Sequence, residues 1–307
     1  PEFLPGYQSI KNPQSLAVFA KEWGVDSLKF SDVNNAEQLL ENCKNGTIKF
    51  LYIAGEDPIH SYYKGSLAAE ALRTVPFLVV QDIYMTETAA MADIVLPTTT
   101  YAEKDGSYTN MSRHVQQVSH AVLPEGNSKP DLDIFCELAE VLQKPFKHTS
   151  IEEIQDEIRR VTPIYAKVLP PSNSMQWLAE NFHMNPKFLA PKEFVANPTN
   201  NGYPFKLLTN NHMFHIGSYT HYAKTLQDIG PDCIAEINPN DARKLNLNSG
   251  DRIQVESNCH KVELPVKISS VTAKGMIYIP KNWVKIPVNL LRNGEEGSVS
   301  VKIIKVG

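Results

Sequence analysis

Hydrophobic positions in the first half of the chain recur at helical spacing and then in short unbroken runs. Leu16, Phe19, Ala20 and Trp23 fall three or four apart behind Asn12-Pro13 and ahead of Gly24, which predicts an amphipathic helix with proline in its first turn. A second helical pattern over residues 36–43 stops at Asn45-Gly46, and residues 48–54 follow as an apolar run of strand length, suited to a strand buried on both faces. The alternation continues with a helix over 66–73 ended by Pro76, a strand over 77–80, a short helix over 87–92 and a strand over 94–96. Lys129-Pro130-Asp131 leads into a helix through Ile134, Phe135, Leu138, Val141 and Leu142, and a charged helix covers 151–161. Strand–helix–strand order with short connections predicts an α/β fold built on a partial, doubly wound parallel sheet.

Beyond Pro204 the period changes to two. Val262, Leu264, Val266 and Ile268 alternate with Lys261, Glu263, Pro265 and Lys267, and Val299, Val301 and Ile303 alternate with Ser298, Ser300 and Lys302. With turns at Asn248-Ser249-Gly250-Asp251 and Ala273-Lys274-Gly275, this part predicts a small closed β-barrel. Between the two lies a stretch rich in Pro, Asn and Ser with one expected helix near residues 175–182. The expected organisation is therefore an α/β domain over 1–165, a connection over 166–204 and a barrel over 205–307.

A length of 307 residues suits two domains, and 42% hydrophobic with 21% charged residues marks an ordinary globular protein. A net charge of −4 and no Lys/Arg-rich run exclude a nucleic-acid partner, and no apolar stretch approaches the roughly 20 residues needed to span a bilayer. Cys43, Cys136, Cys233 and Cys259 form no Cys-x-x-Cys pair, so they read as reduced, structural thiols and not as zinc or iron–sulfur ligands. The chain opens at Pro1 in what reads as mid-protein sequence, so an upstream segment is expected.

In an open sheet, ligands sit beyond the carboxyl ends of the strands. Gly55-Glu56-Asp57-Pro58 follows the first strand and Gln81-Asp82-Ile83-Tyr84-Met85-Thr86-Glu87 the second. Gly55 permits close backbone approach, the carboxylates can accept from a purine or ribose, and Thr86 can cap the next helix. These residue types are also frequent in turns and caps, and no Gly-rich phosphate motif accompanies them, so a purely structural reading stays open. Asp93, Lys104 and Asp131 likewise read as ion pairs or surface charges. In the barrel part, Leu207-Leu208-Thr209-Asn210-Asn211 leads to His215-Ile216-Gly217-Ser218-Tyr219-Thr220, a hydroxyl-rich loop able to bind an anion through its amides. His212, His215 and His221 have no carboxylate or cysteine at a spacing that completes a metal site, and no nucleophile triad is legible, so no catalytic or metal-ligating residue is assigned.

The ordered series Gln81 to Ala89, Ala92-Asp93-Ile94-Val95-Leu96-Pro97, Glu103-Lys104-Asp105-Gly106, Asn110 and Val115-Gln116 resembles the molybdopterin oxidoreductases. That superfamily includes dimethyl sulfoxide reductase, formate dehydrogenase, nitrate reductase and the G component of NADH–quinone oxidoreductase. The opening Pro1 to Gln8 and residues 49–58 resemble the formate dehydrogenase branch. Leu208-Thr209, His215-x-Gly217-Ser218-x-Thr220, Asn238-Pro239-x-Asp241-Ala242, Gly250-Asp251 and Pro287-Val288-Asn289-Leu290 resemble the family's terminal, double-psi-like cofactor-binding barrel. The resemblance implies molybdopterin guanine dinucleotide with molybdenum or tungsten in the full-length protein. A 4Fe–4S cluster and the metal ligand would lie upstream. It places Glu56, Gln81, Asp82, Lys104 and Asp131 around a guanine nucleotide, and Thr209, His215, Gly217, Ser218 and Asn289 around pterin and pyrophosphate.

The sequence departs from the family's Thr-Gly-Arg at Thr209-Asn210-Asn211 and from Glu-Arg-Arg at Ser112-Arg113-His114. It also has a short loop after Asn211 and Gly297-Ser298 in place of a lysine. Losing a guanidinium weakens anion binding, so a degenerate site is an alternative. Two functions are therefore expected side by side. One, implied by the resemblance, is the carboxy-terminal cofactor-binding part of a molybdopterin-dependent oxidoreductase subunit, like formate dehydrogenase or like the G component of NADH–quinone oxidoreductase, that serves electron transfer to iron–sulfur clusters. The other is a cofactor-less assembly module of a respiratory NADH dehydrogenase complex. An independent small-molecule-binding protein on the same fold is a third. Expected partners are upstream iron–sulfur and molybdopterin domains of the same polypeptide and other complex subunits, in the cytoplasm or at the inner face of a membrane. The 307 residues alone are expected to be inactive.

Overall fold

The computed structural model describes residues 3–30, 35–166, 175–176, 202–213, 215, 217–230, 232–292 and 299–306. Two compact units alternate along the chain: Pro1–Leu39, Gln81–Tyr84 and Leu96–Leu189 make the first, and Leu40–Val80, Met85–Val95 and Ala190–Gly307 the second.

In the first unit, helix Pro13–Glu22 begins as its sequence predicts, with Asn12 Oδ1 accepting from the Gln14 amide at 3.0 Å. Helix Ile151–Val161 starts with a capping box in which Ser150 and Glu153 exchange side-chain-to-amide bonds of 3.2 Å. Phe19 and Val161 pack with Leu4 in a small core. Strands Gly106–Thr109 and His114–Val118 form an antiparallel hairpin that the hydrophobic pattern does not announce, because its side chains are largely exposed. Its turn passes through Ser112-Arg113 just ahead of His114: Arg113 takes φ +64°, and Asn110 Oδ1 accepts from the His114 amide at 2.9 Å. Met175–Gln176 pairs with the hairpin as a strand, so these two residues are not helical as expected; the rest of the helix expected over 175–182 lies outside the described residues. The expected connection over 166–204 otherwise lies almost wholly outside the described residues.

In the second unit, helix Gly65–Thr74 buries Leu67, Ala68, Ala71 and Leu72 against Leu40, Cys43, Leu78 and Val80. Strands Leu51–Ala54, Leu78–Asp82 and Ile94–Pro97 lie in that order in one sheet, and the chain passes between units within the last two. The first strand is shorter than expected because Thr47 and Ile48 spend their amides on Asn42 O, closing the preceding helix. The helix expected over 87–92 is a single 3-10 turn, Ala89–Met91.

The barrel forms as expected. Ala235–Ile237, Lys261–Ile268, Arg252–Glu256, Ser300–Lys305, Phe205–Leu208 and Met276–Tyr278 follow one another around it and close on the first. Alternation places Val262, Leu264 and Val266 inside with Ile253, Val255, Ile277 and Val301. Each such residue contributes about 1.5–3 kcal/mol on burial. Gly275 turns at φ +76° while its amide donates to Asp241 Oδ2 at 2.6 Å. All four cysteines are free; Cys43 and Cys233 are buried, whereas Cys259 is exposed and so does not share their core role. No helix among the described residues is long and apolar enough to cross a membrane.

Candidate functional site

In the first unit, two of the sequence-selected residues converge on the carboxylate of a third, Asp131, together with Thr98. Gln81, fully buried at the end of its strand, donates through Nε2 to Asp131 Oδ1 at 2.6 Å, and Thr98 Oγ1 donates to the same oxygen at 2.8 Å. The Lys104 ammonium pairs with Asp131 Oδ2. Asp131 itself opens helix Asp131–Val141, where the helix dipole favours a negative charge. Burial pushes this carboxyl's pKa up, but the bonds from Lys104, Thr98 and Gln81 outweigh it and hold the group below its ordinary value. Lys104 and Asp131 also stand in the wall of a cavity of about 720 Å³, with Tyr108, His120, Leu123 and Asp133. Asp82 is used differently: its Oδ1 accepts from the Tyr84 amide at 3.2 Å, shaping the turn after the strand.

In the second unit, Gly55 follows its strand at φ +65°, a left-handed conformation costly for other residues, with open space where a Cβ would stand. Glu56 is exposed and accepts from Ser61 Oγ at 3.4 Å. Thr86 caps the following turn, its Oγ1 accepting from the Ala89 amide at 3.1 Å. Among the neighbouring buried residues, Thr88 and His60 are ones the sequence pattern does not single out. Thr88 Oγ1 donates to Asp57 at 2.6 Å, and His60 Nε2, buried without a hydrogen bond, stands 3.3 Å from Glu87 Oε2 in a poorly directed approach.

On the barrel side of this unit, Thr209 follows strand Phe205–Leu208, and its hydroxyl accepts from Arg292 Nη1 at 3.4 Å. His215 is buried and held at both ring nitrogens: Nε2 lies 2.8 Å from Asn282 O, and Nδ1 lies 2.8 Å from Thr220 Oγ1. Thr220 Oγ1 donates to Gly217 O at 2.6 Å and accepts from the Gly217 amide at 3.3 Å. The loop is therefore pinned by its own side chains, and Gly217 has nothing within 4 Å of where a Cβ would stand. Ser218 opens the short helix Ser218–Tyr222; its side chain lies outside the described residues. Asn289 is buried and donates to His60 O. Gly65 permits this approach, since a Cβ there would lie 2.8 Å from Ile59 O and 3.2 Å from the Asn289 carbonyl carbon. Asn211, where the sequence departs from the resembled pattern, accepts from Asn282 Nδ2 at 2.9 Å.

Burial pushes the His221 pKa down, and the neighbouring charges of His215, His60 and Lys285 add to that. The histidine group is not where metal-suited ligand atoms gather. Among the described residues, such atoms lie within 4.8 Å of one another at Glu22, His148 and Glu157 in the first unit. Arg160 Nη2 already sits 2.6 Å from Glu22 Oε1 and 3.5 Å from His148 Nε2, so this cluster is a neutralised ion network.

Residues 6–141 match the molybdopterin oxidoreductase family, and residues 205–302 match the molydopterin dinucleotide binding domain. The chain thus carries a molybdopterin oxidoreductase domain followed by a molydopterin dinucleotide binding domain. The whole chain is 36% identical, over 95% of its length, to the F420-dependent formate dehydrogenase subunit alpha of Methanocaldococcus jannaschii, of which it covers 46%. It is 30% identical over 99% of its length to the NADPH-Fe(3+) oxidoreductase subunit alpha of Geobacter sulfurreducens, and 28% identical over 96% to a G-type subunit of NADH-quinone oxidoreductase from Rhizobium meliloti. It covers 35% and 34% of those two, so the chain spans less than half the length of the curated relatives it matches. Among solved structures, acetylene hydratase from Pelobacter acetylenicus shares the fold, with a TM-score of 0.71 over 95% of this chain and 50% of that one, at 18% identity.

Two features of the second unit suit an anionic dinucleotide in kind: open space beside the Gly217 Cα, and the Thr209 hydroxyl after its strand meeting the Arg292 guanidinium.

Proposed function

We propose that this chain is the cofactor-gripping part of a molybdopterin oxidoreductase subunit, of the type found in formate dehydrogenase or in the G component of NADH–quinone oxidoreductase. The observation that carries the reading is the pairing of the matched dinucleotide-binding domain with pre-formed polar clusters at Asp131 and at His215. In the first unit, Gln81, Lys104 and Asp131 would bind the polar edge of a guanine nucleotide, and Asp82 would contribute from its turn. In the second unit, Gly55, Glu56 and Thr86 would form a strand-end nucleotide contact, while Thr209, His215, Gly217, Ser218 and Asn289 would hold pterin and pyrophosphate. When bound, the pterin cofactor supplies a molybdenum or tungsten centre for two-electron chemistry; this chain's residues bind it, orient it and set its electrostatic surroundings. Electrons would leave through iron–sulfur clusters elsewhere in the protein, among partner subunits of a complex in the cytoplasm or at a membrane's inner face.

The test is mass spectrometry and metal analysis of the intact subunit purified from its source. Stoichiometric guanine dinucleotide with molybdenum or tungsten is the expected result; a subunit free of both would overturn the catalytic reading. The second reading, a scaffold that keeps the fold without the cofactor, is favoured by one observation. Asn211 spends its side chain on Asn282 where the resembled family presents a guanidinium.

A further inference from the structure

The second unit contains a cation that the sequence motifs do not single out. Arg292 is partly buried, and its guanidinium donates to the Thr209 hydroxyl at 3.4 Å. Among the described residues no carboxylate pairs with it. Its backbone is fixed from two sides: its amide donates to Asn289 O at 3.1 Å, and its carbonyl accepts from Ser66 Oγ at 3.0 Å. The segment just before it is anchored in turn, with Leu291 fully buried in the barrel core and Asn289 bonded to His60 O. A guanidinium has five donors, and the one long bond to a hydroxyl found among the described residues satisfies little of that capacity. Partial burial with no counter-ion among the described residues also leaves its charge incompletely compensated there, which an anion would remedy.

We infer that Arg292 is a diphosphate-binding residue, its guanidinium and the Thr209 hydroxyl together taking one phosphoryl group of the dinucleotide. This rests on the reading of the second unit as a dinucleotide site. It also supplies within this chain the planar cation that Asn211 does not offer. Arg292 is a binding residue in this account, with no part in proton or electron transfer.

The experiment uses the intact subunit stripped of small molecules, titrated by calorimetry with inorganic pyrophosphate and with guanosine diphosphate. Arg292→Gln should weaken both ligands roughly 10-fold or more, the loss expected for one charge-assisted hydrogen-bonding group. Arg292→Lys should recover part of that affinity, as a point charge without the planar fork. The salt dependence of pyrophosphate binding should become shallower in Arg292→Gln. A second measurement needs no variant: pyrophosphate should protect Arg292 of the wild-type subunit from phenylglyoxal, scored by peptide mass spectrometry. Tight guanosine diphosphate binding that is unchanged in Arg292→Gln, with Arg292 unprotected, would overturn the inference and leave the dinucleotide reading standing. A wild-type subunit that binds neither ligand would overturn both.

Discussion

Gln81 Nε2 and Asp131 Oδ1 lie 2.6 Å apart, joining the buried end of a strand to the first residue of a helix fifty positions later. Because the Asp131 pKa is held below its ordinary 3.8, the native state binds this proton less readily than the unfolded chain does. The contribution is complete above about pH 4 and is lost as pH falls through the depressed native value. Asp131→Asn should therefore flatten the acid limb of the stability curve, and should cost about 1–2 kcal/mol at neutral pH. The cost is less than for a fully buried pair because 37% of the Asp131 side chain is exposed. Urea unfolding at pH 7 and pH 3.5 checks both statements; an acid limb as steep as wild type would contradict the first.

Thr88→Val keeps the shape of a fully buried side chain and removes the only proton it can give to Asp57. The carboxylate then loses a 2.6 Å bond in a site where water does not replace it. A loss of about 1–3 kcal/mol is expected in chemical denaturation, and Thr88→Ser should recover most of it.

His221 has the opposite sign of titration from a paired histidine. Its native pKa lies below the ordinary 6.5, since burial and the nearby His215, His60 and Lys285 disfavour the cation while Glu87 only partly favours it. Stability from this group is full above about pH 6.5 and declines as pH falls below it, because the unfolded chain then binds the extra proton. His221→Asn should reduce the drop in denaturant midpoint between pH 7.5 and 5.5. It should not abolish the drop, since burial lowers the His260 pKa as well.

Gly65→Ala places a methyl group 2.8 Å from a backbone carbonyl oxygen, which no rotamer change relieves. We expect about 1–3 kcal/mol of destabilisation together with displacement of Asn289. Loss of stability with unaltered nucleotide binding would show that Asn289 does not contact the ligand.

The sequence pattern revealed what depends on periodicity and local chemistry. Pro13–Glu22 and Ile151–Val161 carry their own caps, and Lys261–Ile268 shows its buried face as strict alternation. The hairpin at Gly106–Thr109 stayed hidden because its strands are short and exposed and present no apolar stripe. In the candidate site, Gln81, Lys104 and Asp131 were named from a motif, yet their meeting at one carboxylate needed three distant segments to fold together. His60, Thr88, Thr98 and Arg292 were missed for a related reason: each is an ordinary polar residue in a loop or helix edge until tertiary approach buries it or gives it a partner. Periodicity says nothing about partners more than 200 residues away, such as Ser66 and Arg292.

The contact that Gly65 makes possible also sets an order of events during synthesis. Residues 65–72 leave the ribosome more than 200 positions before Asn289 and Arg292, the residues that close over them. Until those arrive, the start of the Gly65–Thr74 helix lacks its cover, and this surface stays exposed in the nascent polypeptide.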